Sequence, residues 1–261
     1  MGTAQIQGEL WGAKAKDWAE LQEPAWQHIF QAAMAHAGVG LGIRLLDVGC
    51  GAGGALVIAR KLGAEVAGLD GSENLVAIAR ERLPGTRIEV GEMEKLPFED
   101  ESFDVVTGIN SFQFAADLAQ ALSEARRVCR RGGTVFMLTW GRREDCQLMT
   151  VTVSAVMALL PPPPPGSQPG PLLDEGAVEV AMRKAGLGPV ETGEIAADLA
   201  FSDAETAIRA NLAAGVNVKA ARQVGEARVS DAIRATLPAV TRPDGSVVWS
   251  NRFRWTKAKR N

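Results

Sequence analysis

Tyrosine is absent from the 261 residues, histidine occurs only twice and cysteine only three times. With His28 and His36 as the only imidazoles, there is little from which to build a histidine-centred acid–base site. Cys50, Cys129 and Cys146 are odd in number and show no C-x-x-C spacing. That argues against a disulfide framework or a zinc site and predicts reduced thiols in a cytoplasm. No early segment joins a charged start to an apolar core, so no secretory leader is expected. The longest apolar run, Val151 to Leu160, is broken by Thr and Ser and falls far short of the ~20 residues of a membrane span. Positive charge is not in excess: the formal net charge is −3 and the pI about 5.6. Without a basic stripe, no nucleic-acid partner is expected. The one basic cluster, Lys257, Lys259 and Arg260, reads as a solvated C-terminal tail. What is present is ordinary for a globular chain, with 46% hydrophobic and 23% charged residues. The length suits one large α/β domain with an elaboration, or two small domains.

Hydrophobic periodicity sets out the elements. Trp11, Ala15, Trp18, Ala19, Trp26, Ile29 and Phe30 recur at roughly helical spacing, predicting helix from Trp11 to His36 with a break near Pro24. Ile43 to Val48 reads as a short buried strand. Strands at 65–69, 87–90, 103–109 and 134–140 then alternate with helices at 56–62, 72–83 and 117–129. Such alternation implies a parallel sheet with helices on both faces. Beyond Gly141 the spacing predicts helix at 145–160, closed by Pro161 to Pro165, and a polyproline-like loop to Pro171. Helix at 174–185, strand at 189–199, helices at 203–214 and 219–237 and a final strand at 247–256 follow, the last entered through Pro243-Asp244-Gly245.

The sharpest local signal is Leu45-Leu46-Asp47-Val48-Gly49-Cys50-Gly51-Ala52-Gly53-Gly54. Glycines at a strand-to-helix turn let backbone approach a ligand closely. Gly49, Gly51 and Gly54 also satisfy G-x-G-x-x-G, and Asp70 follows at the distance of a ribose-binding acid. An NAD(P)-dependent oxidoreductase is therefore one reading. Against it, Asp47 stands two residues before the first glycine, where it would repel a pyrophosphate and attract a cation.

Downstream, Gly91-Glu92-Met93-Glu94-Lys95-Leu96-Pro97-Phe98 leads into Ser102-Phe103-Asp104-Val105-Val106. Together with the glycine loop and Gly68-Leu69-Asp70, this resembles the class I S-adenosylmethionine-dependent methyltransferases. The likeness is strongest to the branch of ubiquinone/menaquinone-biosynthesis methyltransferases, and it covers residues 43 to 140. It implies a Rossmann-like doubly wound, mostly parallel sheet with an antiparallel last strand. It also implies S-adenosyl-L-methionine as cofactor and S-adenosyl-L-homocysteine as product.

By the same resemblance Asp47, Gly49, Gly51 and Gly53 border the methionine end of the cofactor, and Asp70, followed by Gly71, takes the ribose hydroxyls. Glu92 accepts from the adenine amine, the backbone at Met93 meets the ring, and Asn110 marks the boundary with the acceptor. Each acid has a plainer alternative. Asp47 can cap its turn, Asp70 can serve the helix start at Ser72, and Glu92 can be a solvated loop residue beside Glu94.

The acceptor is expected to be a small molecule under a helical cap, walled by Trp18, Phe112, Phe114 and Trp140 with Trp11 and Trp26 nearby. Phe112 and Phe114 serve equally well as core. His28 is the sole candidate general base, and Cys50 reads as a packing residue. The expected organisation is a cap over residues 1–40, a cofactor-binding core over 41–141, further core elements and cap insertions over 142–246, and a final strand and tail over 247–261. A non-catalytic cofactor-binding module stays open beside the transferase and oxidoreductase readings.

Overall fold

The computed structural model describes residues 2–162 and 176–261. Seven strands form one sheet: β1 (Arg44–Val48), β2 (Glu65–Asp70), β3 (Ile88–Val90), β4 (Phe103–Ile109), β5 (Cys129–Trp140), β6 (Leu187–Phe201) and β7 (Val247–Arg260). Their spatial order is β3-β2-β1-β4-β5-β7-β6. The first five run parallel, and β7 lies antiparallel between β5 and β6. This is the expected mostly parallel α/β sheet with an antiparallel last strand. The order reverses beside β1, where β2 lies to one side and β4 to the other. At such a switch point the strand carboxyl ends leave a crevice for a ligand.

Alternation along the strands sends side chains to two cores. Leu45, Val105, Phe136 and Leu138 face one layer, and Leu46, Val106, Val135 and Met137 face the other. The first layer is covered by α4 (Gln27–Ala37), α5 (Gly54–Lys61) and α6 (Glu73–Arg82), the second by α7 (Leu118–Val128) and α9 (Ala177–Lys184). Burying each such Leu or Phe contributes about 2 kcal/mol. Ser72 and Asp117 cap α6 and α7 by accepting from Leu75 N and Gln120 N.

The N-terminal segment starts earlier than its periodicity predicts and is not one helix. It runs through α1 (Ala4–Trp11), α2 (Ala15–Asp17), a π-helical turn (Trp18–Gln22) and α3 (Glu23–Ala25) before α4. A second π-helical turn (Leu148–Val153) precedes α8 (Ser154–Met157). The expected helix over 219–237 is two, α11 (Gly215–Val224) and α12 (Glu226–Thr236), preceded by α10 (Ala204–Leu212). Gly225 divides them at φ +90°, a backbone setting that a helix cannot hold. From residue 163 to 175 the expected polyproline loop and helix start lie outside the described residues.

The basic C-terminal cluster is not a solvated tail. β7 carries it along β5, pairing Phe136 with Lys257 and Thr134 with Lys259. Lys257 meets Glu191 at 3.2 Å, and Arg260 donates to the carbonyls of Arg126, Arg127 and Cys129. Its guanidinium closes the end of α7 rather than facing a polyanion.

Candidate active site

The loop after β1 is shaped by backbone angles. Gly49, Gly51 and Gly53 all have positive φ (+76°, +57° and +84°). A Cβ on Gly49 would lie 2.3 Å from that of Ser111, so glycine is required there twice over. Gly49 N and Cys50 N both donate to Leu69 O, at 2.7 and 3.0 Å. Asp70 braces the same loop: its Oδ2 accepts from Gly51 N at 2.9 Å and its Oδ1 from Ser72 N at 2.8 Å. The helix-start role therefore exists, and the same carboxylate keeps acceptor capacity for a ligand. Burial raises the Asp70 carboxyl above its ordinary value, against backbone hydrogen bonds from Ser72, Gly51 and Gly71 that lower it.

Asp47 is buried and accepts from the Thr107 hydroxyl at 2.7 Å. Burial pushes its carboxyl up to about 7; the Thr107 bond lowers it, and the charges of Asp70 and Glu23 raise it further. Cys50 is buried in the core and its thiol is pushed up by burial, in keeping with a packing residue rather than a nucleophile.

Glu23 was not singled out by sequence and proves central. It is buried, accepts from Ala52 N at 2.9 Å and also bonds the backbone of Gly54 at the start of α5. Arg82 on α6 pairs with it and donates to Ala52 O and Ala19 O, at 3.0 and 2.8 Å. Burial outweighs that pairing, and the Glu23 carboxyl sits above its ordinary value. The helix N-terminus that a dinucleotide's pyrophosphate would use thus already holds a carboxylate. A glutamate beside Pro24 within an apolar-periodic stretch was the available signal.

These groups border a cavity of about 880 Å³, open mouth included, at the carboxyl edge of β1, β2 and β4. Four carboxylates line it, Glu23, Asp47, Asp70 and Glu92, and its lining contains no Lys, Arg or His among the described residues. Gly49, Gly51, Gly71, Met93 and Asn110 are also in the lining. Glu92 is half-buried, not a solvated loop residue. Its Oε2 accepts from Ala4 N at 2.9 Å, while Oε1 is buried without a partner. Helix α1 roofs the cavity. A Cβ on Gly8 would stand 2.0 Å from Gly71 O, and one on Gly12 2.1 Å from Ser72 Oγ. Thr3 Oγ1 donates to Phe114 O at 2.6 Å.

A second cavity, of about 520 Å³ with its open mouth included, shares Trp11, Trp18, Trp26, Asn110 and Phe114 with the first. It reaches Trp140 on β5, Leu199 on β6 and the start of α11. Asn110 therefore stands between the two spaces, in a left-handed conformation (φ +54°) at the end of β4 that asparagine tolerates. Trp26 meets Trp140 and Phe253 edge to face, with centroids 5.7 and 5.0 Å apart, and Trp140 lies tilted against Phe253 at 4.7 Å.

Not every candidate converges. Phe112 is fully buried in the second core and lines neither cavity. Gly53 faces Ala79 and Leu83 of the α6 region and lies outside both linings. His28 is exposed on α4 and lines neither space, so it is no base for chemistry there.

Residues 46–137 match the methyltransferase domain family. Among curated proteins, the demethylmenaquinone methyltransferase of Chlorobaculum parvum is 39% identical over 99 residues, 36% of this chain and 40% of that protein. The malonyl-[acyl-carrier protein] O-methyltransferase of Pectobacterium atrosepticum is 33% identical over 121 residues, 46% of each chain. The first curated relatives are matched over only 28% and 56% of their own length. Among solved structures, a SAM-dependent methyltransferase from Thermotoga maritima superposes with a TM-score of 0.57 at 16% identity, covering 98% of this chain and all of that one. Fold, glycine loop and family match agree over the first five strands: residues 46–137 match the methyltransferase domain family, and the sheet has the Rossmann-like strand order.

Proposed function

We propose that the chain transfers the methyl group of S-adenosyl-L-methionine to a small-molecule acceptor. One observation carries this reading: a cavity at the glycine loop whose charged lining is four carboxylates. Such a site attracts a ligand bearing ammonium and sulfonium charges and repels phosphates. Residues 41–141 would supply the cofactor site, with residues 1–40 as cap and 142–246 adding further core elements and cap insertions.

The residues present fit the cofactor. Asp47 and the turn at Gly49 and Gly51 suit its ammonium end, and Asp70 keeps acceptor capacity for a ribose hydroxyl. The unpartnered Glu92 Oε1 suits an adenine amine. When bound, the cofactor supplies an electrophilic methyl group, whose bond to sulfur breaks as the bond to the acceptor forms. The chain's own contribution is to hold the acceptor in line at Asn110 and to exclude water with α1 and the tryptophans. The dinucleotide reading is disfavoured because Glu23 fills the α5 N-terminus. The three buried, unpaired cysteines suit a reducing, cytoplasmic setting, and no helix among the described residues is long and apolar enough to cross a membrane.

The test is calorimetric titration with S-adenosylmethionine, S-adenosylhomocysteine, NADH and NADPH. Micromolar binding of the first pair alone, about −8 kcal/mol, is expected. Binding of a nicotinamide in their place would overturn the proposal. Methyl transfer to a defined acceptor then separates an enzyme from a binding module.

A further inference from the structure

The second cavity carries an inference about the acceptor, resting on the transferase reading above. Its lining is Trp11, Trp18, Trp26, Trp140 and Phe114 with aliphatic side chains, and the polar residues among it are all amides: Gln22, Asn110, Asn211 and Asn217. No Asp, Glu, Lys, Arg or His lines it among the described residues. Burying an unpaired charge here would forfeit hydration with no counter-ion in return.

Two of the amides are incomplete. Gln22 is 4% exposed and donates through Nε2 to Ala210 O at 2.9 Å, yet its Oε1 is buried without a partner. Asn217 is 1% exposed and donates through Nδ2 to Asn211 O at 2.8 Å, and its Oδ1 is equally unpartnered. Because both partners are carbonyls, which only accept, the amide orientations are fixed by the network. Both amides are thus tethered to consecutive carbonyls near the end of α10, each with an acceptor oxygen unsatisfied. Buried acceptors in native proteins are normally paired.

We infer that this cavity is the acceptor site for an uncharged, ring-sized apolar molecule carrying hydroxyl or N–H donors, which complete Gln22 Oε1 and Asn217 Oδ1. Acceptors bearing a phosphate, carboxylate or ammonium group are rejected. The tryptophan walls favour a flat ring, and Asn110 on the shared border sets it against the cofactor cavity.

The experiment uses the full chain, saturated with S-adenosylhomocysteine, and calorimetric titration of four probes of one size: 2-naphthol, 2-methoxynaphthalene, 2-naphthoate and 2-naphthylmethylammonium. Expected is binding of 2-naphthol at least about tenfold tighter than its methyl ether, which lacks the donor, with neither ion detectable. Val216→Trp, which fills the cavity from α11, should abolish 2-naphthol binding and leave S-adenosylhomocysteine affinity unchanged. Of Gln22→Met and Asn217→Leu, the one that removes the partner of the single hydroxyl should bring 2-naphthol down to the affinity of the ether; both leaving it unchanged would overturn the inference. Preference for either ion, equal binding of naphthol and ether, or naphthol binding undisturbed by Val216→Trp would each overturn the inference. S-adenosylhomocysteine failing to bind the wild-type chain would instead overturn the transferase reading, and the probe series without it still reads the cavity.

Discussion

At the scale of single residues, the site trades stability for charge. Asp47 keeps a carboxylate in a buried position where its proton is released only near pH 7. Between the ordinary aspartate value of 3.8 and about 7, the folded chain holds a proton that the unfolded chain has lost. Stability from this residue therefore falls as pH rises through that window. Asp47→Asn keeps an oxygen for Thr107 and removes the penalty, so at pH 8 it should raise unfolding free energy by about 1–3 kcal/mol. The same change should weaken S-adenosylmethionine binding at least about tenfold, by removing the charge that meets the ammonium group. In the wild type, affinity should climb about tenfold from pH 6 to 8 as Asp47 ionises. Calorimetry across that range checks both effects; a flat profile would sink the assignment of Asp47 to a cationic ligand.

Glu23, whose carboxyl burial also raises, joins three elements at once. Glu23→Ala strips acceptors from Ala52 and Gly54 and leaves Arg82 without its counter-charge. With Arg82 30% exposed, the cost is smaller than for a fully buried pair, about 2 kcal/mol. Urea unfolding should show a lower midpoint with the slope unchanged. An unmoved midpoint would mean that the pair is incidental.

At the scale of elements, the sequence could be read wherever local pattern decides the structure. Strand β4 falls on the residues that its apolar run marks, and β1 to β3, α5, α6 and α7 lie within two residues of expectation. Each is a short apolar run or an amphipathic repeat punctuated by Gly, Ser, Asp or Pro. The misses have non-local causes. Cys129, expected as the last residue of the 117–129 helix, and the Arg- and Gly-rich stretch to Gly133 after it instead extend β5, where Cys129 pairs with Phe103 across a register shift. Lys257 to Arg260 become strand because β5 and β6 flank them, a fact that no window of charged residues contains. The π-helical turn at Trp18–Gln22 swings Trp18 and Gln22 to the cavities and Glu23 to a loop 29 residues away. Glycine and acid motifs therefore announced the half of the site at the strand ends, and the contribution of the N-terminal segment was legible only as scattered tryptophans.

The seat of α1 gives a test at this scale. Alanine favours a helix over glycine by about 1 kcal/mol, so Gly8→Ala should stabilise α1 if nothing else matters. Its Cβ would meet Gly71 O at 2.0 Å, which forces the helix off the cavity. Hydrogen exchange should then show lost protection over residues 4–11, with S-adenosylhomocysteine dissociating about tenfold faster. Unchanged protection would show that α1 is not held by backbone contact at Gly71.

For the whole molecule, the N-terminal segment is the mechanical link between the two cavities. It meets α10 and α12 through Asp17–Arg209 at 2.6 Å, Lys14–Glu226 at 2.8 Å and Gln22 to Ala210 at 2.9 Å. It meets the cofactor side through Glu23, Gly8 and Thr3. A ligand in the first cavity therefore stabilises more than its own lining. At 1 mM S-adenosylhomocysteine and a micromolar dissociation constant, linkage adds about 4 kcal/mol to the folded state. For a chain of this size that is a rise of roughly 8–16 °C in melting temperature. The distribution of the gain is the sharper measurement. Because α10 to α12 touch the cofactor side through the N-terminal segment, their amides should slow on binding along with those of β1 and β2. In Gly8→Ala that remote protection should shrink while protection at the glycine loop persists. Slowing confined to the glycine loop in the wild type would mean that the cap does not sense the cofactor, and that the two cavities fill independently.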